Sequence, residues 1–138
     1  MNDNHKLSLE IDSGDMRMFR ITGILPAKIE DSAAVIKLEG EINLYSSQHI
    51  KEIIEKLLIE GRNKIFIDLG DVTYIDSSGL GVFLGLHSKI YKAGGGINLC
   101  SPSQKVNYVL ELTKLVGLLN IFNTLEEGME VFANKESI

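Results

Sequence analysis

Asp71-Val72-Thr73-Tyr74-Ile75-Asp76-Ser77-Ser78-Gly79-Leu80-Gly81 is the stretch that decides how the rest of this chain is read. The Thr73-Tyr74-Ile75 run is rich in residues that fit a pleated, half-buried surface, so it reads as the end of a strand. Asp76, Ser77 and Ser78 all carry side-chain oxygens that cap helix N-termini. Leu80, Phe83, Leu86 and Ile90 then recur at helical spacing and predict a helix over 78–92. A strand that turns directly into a helix is the repeating unit of an α/β fold, whose ligands and partners gather at the carboxyl ends of the strands. The first amides of such a helix point outward and favour an anion. A phosphate on Ser77 or Ser78 is therefore compatible with its own helix. The same residues also serve as ordinary caps, and spacing by itself does not separate the two uses.

Three glycines, Gly79, Gly81 and Gly85, fall inside this helix, where each costs roughly 0.5–1 kcal/mol against alanine. Close packing of helix on sheet accounts for Gly81 and Gly85. Gly79, in the first turn, is expected to leave a flat surface beside the serines on which a partner can dock.

Working outward, Leu7, Leu9 and Ile11 alternate with polar residues as a half-buried strand does. A second strand is expected near Met16–Ile24, a turn over Pro26–Ser32, and a strand over Ala34–Glu39 closed by Gly40, together a hairpin with a long loop. Ile50, Ile53, Ile54, Leu57 and Leu58 mark a helix capped by Ser46 or Ser47 and ended by Gly61. Lys64–Leu69 reads as a buried strand. After the Gly94-Gly95-Gly96 run comes a short strand, Ile97–Cys100. Ser101-Pro102 is expected to start a third helix that Gly117 ends. Leu118–Phe122 forms a last strand. Thr124 and Glu127 stand as a capping box for a final helix that turns Leu125, Met129 and Phe132 inward. The order β-β-α-β-α-β-α-β-α predicts a small, mixed, mostly parallel sheet with right-handed crossovers. A first segment, 1–15, precedes a domain over 16–134 and can add one more strand; 135–138 is a tail.

The 138 residues suit one domain and a sizeable core. The longest uncharged apolar run, Gly79–Leu86, is too short for a bilayer, and the polar start lacks a signal core, so a cytoplasmic protein without membrane insertion is expected. The single cysteine, Cys100, excludes an internal disulfide and reads as a small buried apolar residue. With 14 basic and 19 acidic residues and no basic cluster, direct nucleic-acid binding is disfavoured.

Enzymatic readings fail on geometry. Gly79, Gly81 and Gly85 miss the dinucleotide spacing by one position, and the first already lies in the helix. A serine hydrolase needs a positioned histidine and a Gly-x-Ser-x-Gly elbow; here Asp76 and Ser78 flank Ser77. His5 is near the terminus, and His49 and His87 are expected on polar helix faces. No His/Asp/Glu cluster has metal-ligand spacing. The expected class is a binding module without catalytic residues, metal or cofactor.

The stretch from Asp68 through Asp76-Ser77-Ser78-Gly79-Leu80-Gly81 to Phe83 resembles the signature of STAS domains, specifically bacterial anti-sigma factor antagonists. The likeness extends over about Ala33–Phe132 and takes in Leu38-Glu39-Gly40-Glu41-Ile42-Asn43, the Gly94–Gly96 run and Leu115-Val116-Gly117-Leu118. The resemblance implies a non-catalytic switch. When unphosphorylated, such a protein binds an anti-sigma factor that is also a serine kinase, and so regulates sigma-factor-dependent transcription. The kinase phosphorylates the first serine of the motif, here Ser77, and a PP2C-type phosphatase reverses this. The implied partner-binding residues are Asn43, Leu44, Ser46, Asp76, Ser77, Ser78, Gly79, Gly81, Val82 and Gly85. The family commonly has Asp where this chain has Asn43, which keeps hydrogen-bonding capacity and removes a charge. That exchange supports an alternative, a STAS scaffold or subunit of a signalling or lipid-transport complex that works without phosphorylation. A third reading, a nucleotide or small-molecule binder, draws only on the glycine-rich helix start.

Overall fold

The computed structural model describes residues 9–12, 18–26, 33–114 and 117–136. In chain order the elements are β1 (Leu9–Asp12), β2 (Met18–Pro26), β3 (Ala33–Ile42), α1 (Leu44–Ile59), β4 (Lys64–Ile75), α2 (Ser77–Tyr91), β5 (Gly96–Cys100), α3 (Gln104–Leu112), β6 (Asn120–Phe122) and α4 (Leu125–Glu136). The six strands lie in one sheet in sequence order. The β1–β2 and β2–β3 pairs are antiparallel, and β3 through β6 are parallel. This is the expected mixed, mostly parallel architecture, with β1 as the added N-terminal strand. The turn expected after Pro26, the start of the first strand at Leu7 and the start of the second at Met16 lie outside the described residues.

Alternation along the central strands divides the core. Ala34, Ile36 and Leu38 of β3, Ile65 and Ile67 of β4, and Ile97 and Leu99 of β5 share one buried cluster with Ile50, Ile54 and Leu57 of α1 and Leu80, Phe83, Leu86 and Ile90 of α2. Val106 and Leu110 of α3 join it. Their neighbours in sequence, Ala33, Val35, Phe66 and Cys100, form a smaller cluster closed by Phe122, Leu125 and Met129. Both faces of β3–β5 are thus covered, as a parallel sheet requires. The Phe132 side chain, expected to point inward, lies outside the described residues. Cys100 is fully buried. Its desolvation, with the Asp68 and Glu126 carboxylates adding to it, pushes the thiol up to about 12, so the thiolate needed for reactivity does not form near neutral pH.

Several local expectations are corrected. Lys64–Leu69 and Thr73–Ile75 belong to one 12-residue strand. Gly70 and Asp71 do not break it, because irregularities in the β3–β4 register absorb the extra length and Asp68 Oδ1 accepts the Gly70 amide at 2.9 Å. The α1 cap is Asn43, one step before the helix, and not Ser46 or Ser47. The α3 cap is Ser103; Ser101 takes a left-handed φ of 56° and belongs to the turn. The last strand is shorter than expected and begins at Asn120. His87 does not lie on a polar face: it is half-buried and its Nδ1 accepts the Ile97 amide at 3.0 Å. The third helix, expected to run to Gly117, stops at Leu112, where Thr113 is its C-cap and Lys114 takes the left-handed φ of 60° that ends it. A left-handed Gly61 (φ 89°) follows α1 as expected, and Thr124 Oγ1 accepts the Glu127 amide at the start of α4.

Candidate functional site

The site is built where two parallel strands end side by side. Ile42 of β3 and Ile75 of β4 are in register, and the Asp76 amide donates to the Ile42 carbonyl at 3.1 Å. The next residue in each case, Asn43 or Asp76, is extended and caps a helix. The N-termini of α1 and α2 are therefore neighbours, and what the two loops carry shares one rim of the molecule.

The two caps differ. Asn43 Oδ1 accepts the amides of Tyr45 and Ser46 at 3.0 and 3.1 Å. Ser46 Oγ accepts the Asn43 amide at 2.9 Å and donates to the Glu41 carbonyl at 2.9 Å. This is a complete capping box, and it leaves Ser46 0% exposed. At α2, Asp76 Oδ1 accepts the amides of Ser78 and Gly79 at 2.9 and 3.3 Å. Gly79 stands at the position that Ser46 holds in α1 but has no side chain with which to reciprocate. The reason is steric: a Cβ there would lie 2.5 Å from Ile42 Cγ2 and 3.0 Å from Ile75 Cγ1. Gly79 thus lets α2 settle against the strand ends. Gly81 and Gly85 reverse the expectation made of them, since both are exposed and a Cβ at either would meet nothing within 4 Å. Sheet packing does not call for them. They keep the outer surface of α2 bare.

Ser77, the first residue of α2, is exposed, and its hydroxyl bonds to no described residue. Asp76 already accepts the second and third amides of the helix, and the exposed Ser77 follows it directly in the chain. Beside Ser77 a groove runs between α1 and α2. Leu44, Ser77, Ser78, Gly81, Val82 and Gly85, all anticipated as partner-binding residues, line it. The other four anticipated residues lie beneath or beside it: Asn43 and Asp76 act as caps, and Ser46 and Gly79 are buried. The groove walls also include Gln48, Lys51, Glu55 and Lys89, which sequence reasoning missed. Their signal was present, because Leu44, Gln48, Lys51 and Glu55 fall on one helical face next to the apolar stripe. Tyr45 and Tyr74, 62% and 49% exposed on the same rim, were also missed. Tyr74 faces a separate cleft with Lys105 and Tyr108.

Among the described residues no group of His, Cys, Asp and Glu is arranged to hold a metal ion, and no helix is long and apolar enough to cross a membrane.

Comparison with known proteins places this arrangement. The STAS domain family matches residues 25–128, and the chain belongs to that family. A Thermotoga maritima protein provisionally named an anti-sigma factor antagonist is 36% identical over 113 residues, which are 81% of this chain and 100% of that protein. The anti-sigma-B factor antagonist of Bacillus subtilis is 33% identical over 95 residues, 69% of this chain and 86% of that protein. The structure of the anti-sigma factor antagonist SpoIIAA in its unphosphorylated form shares the fold, with a TM-score of 0.68 at 23% identity over 81% of this chain and 97% of that one.

Proposed function

We propose that this protein is an anti-sigma factor antagonist whose docking face is the α1–α2 groove and the rim around Ser77. Its partner is an anti-sigma factor with serine kinase activity, and phosphorylation of Ser77 ends the complex. The observation that carries this reading is the exposed Ser77 hydroxyl, free of hydrogen bonds to the described residues, at the edge of a groove lined by the motif's own residues. The relatives' names agree with the general role. No metal or cofactor enters the reading: the chain is ligand and substrate, and a PP2C-type phosphatase restores it.

Phosphate adds about −1.5 to −2 charges. The helix N-terminus tolerates that charge, so the fold persists. In a docked complex it adds bulk and like charge beside Asp76, and juxtaposed like charges cost several kcal/mol. Each 1.4 kcal/mol is about tenfold in affinity, enough to empty the complex. Incubation with the cognate kinase and ATP, followed by mass spectrometry, tests this: one phosphate on Ser77 that vanishes in Ser77→Ala is the expected result. Recovery of a stable complex containing no serine kinase, with Ser77 unmodified, would favour the scaffold reading.

A further inference from the structure

His87 and its bond to β5 have no part in the proposed switch, yet they hold α2 in place. We propose that His87 is a pH-responsive clasp: protonation of Nδ1 removes the acceptor for the Ile97 amide and undoes this side-chain tie between α2 and β5. The inference does not rest on the proposed function.

Three observations carry it. First, the bond joins two elements through a side chain, with the Ile97 amide 3.0 Å from His87 Nδ1. An accepting Nδ1 fixes the neutral tautomer with its proton on Nε2. Second, β5 pairs with β4 from Gly96 onward but with β6 only from Asn98, so His87 accepts the Ile97 amide just ahead of the point where pairing with β6 begins. Third, the ring packs on a glycine. A Cβ at Gly96 would lie 3.2 Å from His87 Cε1 and 3.4 Å from Nδ1, so a side chain there would press the imidazole away from its amide.

Among the described residues, the groups facing the ring are few. On α2 the Tyr91 phenol ring lies 5.9 Å away, centroid to centroid. From β5 come the Gly96 backbone and the Ile97 amide. From β6 the Asn120 carboxamide approaches the same glycine. None of these is a carboxylate that would stabilise an imidazolium. Burial accordingly lowers the His87 pKa, and the half-buried ring can still take a proton from water. Once charged, Nδ1 carries a hydrogen pointed at another N–H donor, and the contact turns from attraction to repulsion. Ser77 keeps its own cap at the far end of the helix, because Asp76 does not take part.

Amide exchange and imidazole ¹⁵N spectra of the full chain across the His87 titration test the clasp. In the wild type the Nε2–H tautomer is expected at neutral pH, and the protection factor of the Ile97 amide should fall about tenfold as His87 protonates, the equivalent of one net hydrogen bond. His87→Asn places Oδ1 near the position of Nδ1 and does not titrate, so protection should persist without the pH step. His87→Phe keeps a ring without an acceptor and should lose protection at every pH. An Nδ1–H tautomer in the wild type, or Ile97 protection that ignores His87 protonation, overturns the proposal, and both readings hold even if His87→Phe fails to fold.

Discussion

Asn43 and Gly79 each occupy the place that a single local demand assigns them. Asparagine and aspartate cap helices about equally well, so the exchange at residue 43 leaves the α1 capping box intact and alters only charge. Asn43→Asp should therefore shift urea-derived stability by less than about 0.5 kcal/mol, whereas Asn43→Ala should cost about 1 kcal/mol by orphaning the amides of Tyr45 and Ser46. Equal stability for Asn43→Ala would mean that the box does not hold α1. The glycines divide just as sharply. Gly79→Ala must displace Ile42 and Ile75, and overpacking of that kind costs about 1–3 kcal/mol. Gly81→Ala and Gly85→Ala meet open space and should each stabilise the protein by roughly 0.5–1 kcal/mol through helix propensity. If the bare surface of α2 serves docking, the same two variants should bind the anti-sigma partner more weakly while melting later. Stabilised variants with unchanged affinity would remove these glycines from the interface.

At the scale of elements, α2 is held at both ends by different means: a carboxylate cap at Asp76 and the His87–Ile97 bond near its close. The second is a bond that protonation of the ring breaks. Because burial depresses the His87 pKa, the folded state prefers the neutral ring and the unfolded chain binds the proton first. The contribution of His87 to stability is then complete above the ordinary histidine value of 6.5 and is lost as pH falls below it toward the depressed folded value. Unfolding free energies of the wild type and His87→Asn, compared from about pH 8 down to about pH 5, should converge at the high end and separate in favour of the variant at the low end. Parallel curves would show that His87 titrates alike in both states.

For the whole molecule, the two loops at the ends of β3 and β4 stand on a sheet that is covered on both faces, while Ser77 is exposed at its rim. A phosphate there touches no core residue. The phosphorylated protein should keep its melting temperature within about 4 °C, the shift that roughly 1 kcal/mol produces at this size, and yet lose at least about tenfold in partner affinity. A large drop in melting temperature on phosphorylation would point instead to a switch that works by unfolding.

Element identity was legible because hydrophobic period and glycine placement are local. The α2 stripe, the Gly61 stop, the buried Cys100 and the Asp76–Ser78 loop could all be read from neighbours in the chain. The role of Gly79 could not, because it depends on Ile42, a residue from another strand, and neither could the open space outside Gly81 and Gly85. Nor could the environment of His87, since its partner amide belongs to β5 and arrives only when the crossover closes. The cap at Asn43 lay three residues before Ser46, the first of the serines that a local reading prefers, because the end of β3, held in register with β4, sets where α1 begins. The sequence by itself determined the α/β order, the family and the residues of the Ser77 motif. Tertiary structure alone decided which of those residues face outward around a groove and which lie beneath it, because burial is set by the strands and helices packed alongside, not by neighbours along the chain.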